Sequence, residues 1–88
     1  EFIQTCEVDD NIKDVVLTSF DNGIQTNYAI LLTESSNIYI YSMNSLKRKQ
    51  VIKAQNQKIE MIYLKSNTML IAFTKNKTLL KCKLFENI

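Results

Sequence analysis

Two stretches of this chain follow the same pattern of apolar and polar residues, 41 positions apart. Residues 29–38, AILLTESSNI, align with residues 70–79, LIAFTKNKTL. Each has an apolar run, a threonine, a polar segment of matching length and the start of a second apolar run. Upstream, residues 12–17 align with residues 59–64 at an offset of 47, and the six additional residues lie in the loop around Gly23. Repeats of about 40–45 residues with four strands each are typical of β-propeller blades.

Short β-strands separated by polar turns account for most of the chain. β-branched and aromatic residues fill the strands, and Asn, Asp and Ser occupy the segments between them. The eight predicted strands are residues 2–8, 12–17, 28–33, 38–43, 48–54, 59–64, 69–74 and 78–85. The pattern predicts an all-β fold of four-stranded antiparallel blades. A helix at residues 45–58 is the alternative, because good helix formers follow Ser45, but its apolar positions make a poor helical stripe.

The segment Asn37–Met43, NIYIYSM, carries a similarity to a known family. Tyr41-Ser42 occupies the place where WD-repeat β-propellers end the third strand of a blade with a Trp-Asp pair. Cys82-Lys83 occupies the same place in the second unit. The chain therefore resembles the WD-repeat family over nearly its whole length. It departs from the family pattern because it contains neither Trp nor His.

The resemblance implies a partial β-propeller. Residues 1–8 are then the outer strand of a preceding blade, residues 12–54 one blade and residues 59–88 most of the next, all within one propeller domain. Closing a propeller takes about four to eight blades, so two blades imply a longer chain or additional copies. For function, the resemblance implies a rigid, non-catalytic scaffold that binds other proteins within a multi-subunit complex.

The residue types that most enzyme and metal chemistry requires are missing. The chain contains no His, two Cys and one Gly. The absence of His excludes Ser-His-Asp and Cys-His nucleophile systems within the chain, and two distant Cys cannot supply four zinc ligands. Residues 9–11 with Asp14 are interpreted as a solvated turn and not as a calcium loop. We therefore predict no catalytic, cofactor-binding or metal-binding residue and no enzyme activity.

Charge is distributed unevenly, although the net charge is only +2. Residues 1–34 carry seven acidic side chains and one lysine, whereas residues 35–88 carry ten basic and two acidic side chains. The candidate interaction surface is a basic cluster of Lys47, Arg48, Lys49 and Lys53. A second basic group contains Lys75, Lys77, Lys81 and Lys83.

Two functions are compatible with these basic segments. The favoured interpretation is solubilising charge and protection of exposed sheet edges by lysine. The alternative is a small RNA-binding module that contacts phosphates through residues 47–53 and 75–83, with residues 45–58 as a helix against a sheet.

Cysteine usage and hydropathy indicate a location. Cys6 and Cys82 are too few for a disulfide scaffold and are interpreted as reduced, mostly buried thiols of an intracellular protein, cytoplasmic or nuclear. The longest apolar runs are too short to span a bilayer, so no membrane insertion is expected. Tyr39 and Tyr41 share one face of a strand and are predicted to pack between blades and not to bind a ligand.

Overall fold

The computed structural model describes residues 3–54 and 56–86. Over these residues the chain forms seven β-strands and no helix, which confirms the prediction of an all-β fold. The strands are β1 (Ile12–Asp21), β2 (Gln25–Thr33), β3 (Asn37–Ser42), β4 (Arg48–Lys53), β5 (Ile59–Ser66), β6 (Met69–Thr74) and β7 (Leu79–Lys83).

The strands form two antiparallel sheets. The first sheet has the order β1-β2-β3-β4 and the second has the order β5-β6-β7. Each strand pairs with its neighbour in sequence, so the connections within a sheet are short hairpins. The strands are therefore antiparallel as predicted, in one sheet of four strands and one of three. The described strands do not close into a ring.

The N-terminal segment differs from the prediction. Residues 3–8 form no strand, and Phe2 lies outside the described residues. The segment crosses the first sheet, where Val8 packs against an apolar cluster formed by Ala29, Leu31, Tyr39 and Tyr41. This packing half-buries Val8 on the face of a sheet and provides no neighbouring strand for the backbone to pair with.

Strand pairing corrects two further predictions. The helix at residues 45–58 is wrong, because Val51 and Ile52 continue the first sheet as part of β4 and alternate between its two faces. Residues 18–27, expected to be a loop, are mostly strand, since β1 extends to Asp21 and β2 starts at Gln25. The turn between them contains Gly23 at φ +88°, a conformation that residues with a side chain rarely adopt.

The turn between the second and third strands has the same hydrogen bonds in both repeat units. Thr33 Oγ1 accepts a hydrogen bond from the backbone N–H four residues later at 3.2 Å and donates to the carbonyl of that residue at 3.3 Å. Thr74 Oγ1 makes the same two bonds at 3.1 and 3.3 Å. Both turns also contain a residue at positive φ, Ser36 at 62° and Lys77 at 65°. The repeat seen in the sequence is therefore a repeat of backbone geometry.

Other backbone features recur at the same offsets. The register shifts after the first residue of β1, Ile12, and after the first residue of β5, Ile59. The N–H of Met43 and the N–H of Leu84 each donate to the carbonyl 16 positions earlier, at 2.8 and 2.9 Å. The six additional residues of the first unit lengthen its β1–β2 hairpin.

The central core lies between the two sheets. Its buried residues are Tyr28, Ile30, Leu32, Ile38 and Ile40 from the first sheet and Ile59, Ile62, Leu70, Ala72, Leu84 and Phe85 from the second unit. The residues that alternate with these along the first sheet lie on its opposite face, which we call the back face. They include Ala29, Leu31, Tyr39 and Tyr41. Tyr39 and Tyr41 are buried there as predicted, but they pack against Val8 of the N-terminal segment and not between two blades.

Residues 84 and 85 turn back beneath the long β1–β2 hairpin. The Phe85 ring stacks on Phe20 with 4.6 Å between ring centroids and lies 4.7 Å from the ring of Tyr28. The Phe85 N–H donates to Gln50 Oε1 at 2.9 Å. Phe85 alone thus contacts β1, β2 and β4 of the other sheet.

Candidate interaction surfaces

The predicted basic cluster lies along β4, the outer strand of the first sheet. Its members are all exposed: Lys47, Arg48, Lys49 and Lys53. Arg48 pairs with Tyr41 and Lys53 pairs with Asn37, which places these two cations on the back face, whereas Lys49 lies in a bulge of the strand. Arg48 and Lys53 are five residues apart, roughly 16 Å along a strand. The structure therefore spreads the cluster along an exposed sheet edge.

Arg48 makes contacts within the chain. Its Nη1 lies 3.7 Å from Asp9 Oδ1, and its guanidinium lies 4.6 Å from the centroid of the Tyr39 ring. The ion pair holds the N-terminal segment over the back face, and the cation–π contact covers part of that face. Arg48 is thus less available to a partner than the three lysines of the cluster.

The second basic group is divided between a turn and a strand. Lys75 and Lys77 belong to the β6–β7 turn, whereas Lys81 and Lys83 are exposed on β7. In the register of the second sheet, Lys81 lies opposite Ile71. The two lysines of β7 therefore border the face of the second sheet that points away from the first.

We call this surface the open face of the second sheet. Its apolar members are Met61, Tyr63, Ile71, Phe73 and Leu79. Met61 and Tyr63 are about half exposed and Leu79 is 65% exposed. The rings of Tyr63 and Phe73 stack with 5.7 Å between centroids. Sequence reasoning missed this surface, although period-two alternation in residues 61–64 indicates that apolar residues occupy both faces of β5.

A groove of about 590 Å³ lies at one end of the two sheets. Its lining residues are Leu17, Thr18, Ser19, Asn27, Tyr28, Met43 and Asn67. The Thr18 hydroxyl donates to the Asn67 carbonyl at 3.2 Å and joins the two sheets at its floor. The groove has no charged lining residue, so it offers apolar contact and hydrogen bonds but no ionic selectivity.

Polar side chains of the first sheet bind the backbone of β5. Asp14 Oδ2 accepts a hydrogen bond from the Ile62 N–H at 3.1 Å, and Lys13 Nζ donates to the Ile59 carbonyl at 3.0 Å. Ser36 Oγ accepts from the N–H of Ile59 at 3.0 Å. Asp14, which the sequence assigned to a solvated turn, is therefore a structural contact between the sheets.

The two cysteines are free thiols in different surroundings. Cys6 is exposed, so the prediction that both thiols are mostly buried is wrong for Cys6, whose segment has no strand partner. Cys82 on β7 is half-buried against the central core, and this burial raises the pKa of its thiol. A raised pKa lowers the thiolate fraction at neutral pH and makes Cys82 less reactive.

Asp10 organises the turn that precedes β1. Its carboxylate accepts hydrogen bonds from the N–H of Asn11 at 2.7 Å and from the N–H of Ser35 at 3.2 Å. Hydrogen bonds from the side chains of Ser35 and Thr33, followed by these backbone bonds, lower the pKa of Asp10. The charged form of Asp10 therefore ties the start of β1 to the β2–β3 turn.

Residues 3–54 and 56–86 contain no cluster of three or more acidic or cysteine side chains arranged to hold a metal ion. Within the same ranges no helix is long and apolar enough to cross a bilayer. No family model, curated protein or solved structure matches the chain significantly. Any function is therefore inferred from the geometry of the sheets and their exposed surfaces.

Proposed function

We propose that the chain is a segment of a WD-repeat-like β-propeller, residues 12–54 forming one blade and residues 59–88 most of the next. It acts as a non-catalytic scaffold for protein–protein contacts within a larger assembly. One observation carries the proposal: at the offset of 41, the core-facing residues of the first sheet correspond to the open face of the second. Ile30 corresponds to Ile71 and Ile38 to Leu79.

This correspondence describes head-to-tail packing. The first sheet buries one face against the opposite face of the second sheet, so the contact uses two different surfaces. A contact of that type can be repeated when a further sheet is added. The open face needed for such a repeat is exposed on the second sheet, whereas the N-terminal segment covers the corresponding face of the first sheet. Blades of a propeller are added in this manner, each against the next.

The position of the first strands also supports the proposal. Lys13 and Asp14 of β1 reach the backbone of β5, and Thr18 of β1 reaches the turn after β5. The first strands of both units therefore lie together, while β4 lies at the outer edge of its sheet. Strands arranged from an inner first strand to an outer last strand are the order of a propeller blade.

The scaffold role rests on which surfaces remain exposed. The β1–β2 hairpin and the groove beside it are built on paired strands, and so are the lysines of β4. These surfaces are exposed and can present a defined shape to other proteins. Fold alone does not determine function, so partner binding is tested separately from the fold. The free thiols Cys6 and Cys82 suit an intracellular location, cytoplasmic or nuclear.

The fold is tested by mass spectrometry of the protein purified from its natural source, under denaturing and native conditions. We expect a chain or a stable assembly of about 20 kDa or more, because closure takes about four or more units of ~5 kDa. Class averages from electron microscopy of the same particle should then show radial blades. A particle of about 10 kDa under both conditions contradicts the proposal.

The scaffold role is tested by crosslinking the native assembly with a lysine-reactive reagent. We expect Lys47, Lys49 and Lys53 to crosslink to other subunits. Lys13 is the matched control, because it is already bound to β5. Crosslinks confined to the chain's own lysines contradict partner binding through β4.

The RNA-binding alternative has weaker structural support. It relied on a helix at residues 45–58, which is replaced by β4, and on Arg48, which contacts Asp9 and Tyr39. Filter binding of single-stranded RNA between 50 and about 200 mM salt separates the two functions, since phosphate binding weakens steeply with salt. We expect no saturable binding.

A further inference from the structure

We propose that the open face of the second sheet binds the back face of the first sheet in a second copy of this chain, head to tail. The inference rests on the proposed function, because it takes the packing between the two sheets as the pattern for a contact between copies. It adds the identity of the two surfaces and of the partner.

The open face is apolar at its centre and unoccupied in the described chain. Tyr63, Phe73 and Leu79 form adjoining parts of it on three neighbouring strands. The corresponding positions of the first sheet, at offsets of 47 and 41, are Val16, Leu32 and Ile38, all of which pack in the central core. Apolar surface of this kind is stabilised when another surface removes it from water.

The repeat also identifies the surface that fits there. In the central core, the second sheet contributes Leu64, Leu70 and Ala72 to the contact. The corresponding residues of the first sheet are Leu17, Ala29 and Leu31, and all three lie on the back face. The back face of a second copy therefore corresponds to the side of the second sheet that packs in the central core. It can cover the open face as that side covers the first sheet.

Charge argues against contact between two open faces. Lys81 and Lys83 border the open face, so two such faces would bring like charges together. The back face carries charges of both signs: Arg48 and Lys53 lie on it, and Glu7 and Asp9 lie on the segment that crosses it. The correspondence between the repeats, and not charge, therefore identifies the back face as the partner surface.

The N-terminal segment must move aside for this contact. Residues 3–7 are exposed and form no strand, and Val8 is the apolar side chain of the segment that packs on the back face. Leu17 of the same face already lies free of the segment and is 68% exposed. The segment thus competes with a second copy, and removing it should strengthen association.

The test is sedimentation velocity of the 88-residue chain over a concentration series. We expect reversible self-association. Leu79→Asp on the open face and Leu17→Asp on the back face should each weaken it by at least about tenfold, because each places a charge in an apolar contact. Ile24→Asp is the matched control: Ile24 is 75% exposed at the hairpin tip, outside both faces, and its variant should associate like the wild type.

Mixing the two variants provides the decisive measurement. Each variant retains the face that the other has lost, so an equimolar mixture of Leu79→Asp and Leu17→Asp should form a dimer that neither forms alone. Deletion of residues 1–8 should increase the association constant several-fold. Circular dichroism of each variant should retain the wild-type β spectrum, so that loss of association is not loss of fold.

Three results overturn the inference: a wild-type chain that stays monomeric, association that Leu79→Asp does not weaken, and a mixture that does not dimerise. The third result, with Leu17→Asp still associating, identifies contact between two open faces. A monomeric 88-residue chain combined with a natural particle of about 20 kDa or more refutes the contact between copies and leaves the proposed function standing. A natural particle of about 10 kDa refutes the proposed function independently of these variants.

Discussion

The two sheets of this protein have the same repeat but very different surroundings. Ile38 in the first sheet is fully buried, whereas Leu79, at the corresponding position of the second sheet, is 65% exposed. Ile40 is likewise fully buried and corresponds to the exposed Lys81. Both residues follow the same type of turn, but Ile38 lies in a strand paired on both sides and covered by the second sheet, whereas Leu79 lies in an edge strand with no sheet over it. The difference in exposure therefore comes from the neighbouring strand and sheet. Burial here is a property of the stack of sheets and not of the repeat unit.

The largest expected effect tests this difference in burial by removing one aromatic ring from the central core and one from the open face. Phe85→Ala should lower the free energy of unfolding by about 3–5 kcal/mol, because its ring is buried between the sheets. Phe73→Ala on the open face should cost well under half as much. Urea denaturation followed by circular dichroism measures both. Equal losses would contradict the assignment of the central core.

Removing the threonine hydroxyl bonds that recur in both turns tests whether the two repeat units are equivalent. Thr33→Val and Thr74→Val each remove a hydroxyl that accepts from one backbone group and donates to another. We expect each variant to lose about 1–2 kcal/mol of stability in urea denaturation. Thr26→Val is the control, because Thr26 lies in β2 outside both turns, and it should lose less. A loss in only one of the two variants would show that the turns are not energetically equivalent.

The contact between the sheets can be weakened without altering either apolar face. Asp14→Ala removes the acceptor of the Ile62 N–H and should lower stability by about 1 kcal/mol. Hydrogen exchange should accelerate at Ile62 more than at Ala72, whose strand does not contact Asp14. Uniform acceleration throughout the second sheet would show instead that Asp14 stabilises the whole fold.

The smallest expected effect is on the pH dependence of stability, and it involves the first sheet alone. Hydrogen bonds lower the pKa of Asp10 in the folded chain, so its charged form contributes stability above the unfolded pKa, and this contribution is lost as pH falls through the folded pKa. Asp10→Asn should therefore flatten the decline of the urea midpoint below about pH 4. Ser35→Ala, which removes the leading cause of the shift, should raise the pKa of Asp10 in an NMR titration. An unchanged titration would contradict the Asp10–Ser35 contact.

Much of the fold is predictable because its information is local. Period-two alternation places the predicted third strand of the first unit within a residue of β3, and β6 matches the predicted Met69–Thr74. The repeat offsets, the position of the six additional residues and the split between the faces of residues 38–41 are also readable from the sequence. These features depend on residues within one hairpin, where spacing determines pairing.

The remaining features depend on contacts between distant residues. Nothing local to Asp14 indicates that its carboxylate accepts the N–H of Ile62, 48 positions away. Residues 3–8 have the composition of a strand, but no strand edge is available to them. The open face was missed because alternation shows that a strand has two apolar faces and does not show which of them is covered. The four residues of the predicted basic cluster are correctly placed at the surface, but only their register shows that they spread along an edge.

The packing of Phe85 has a consequence for the order in which the chain is made. Phe20 leaves the ribosome 65 residues before the ring that stacks on it. At typical elongation rates of about 5–20 residues per second, that interval is roughly 3–13 s. During it the β1–β2 hairpin is complete, yet its apolar underside faces water. The nascent first sheet therefore exposes the rings of Phe20 and Tyr28 to water until translation delivers residues 84 and 85.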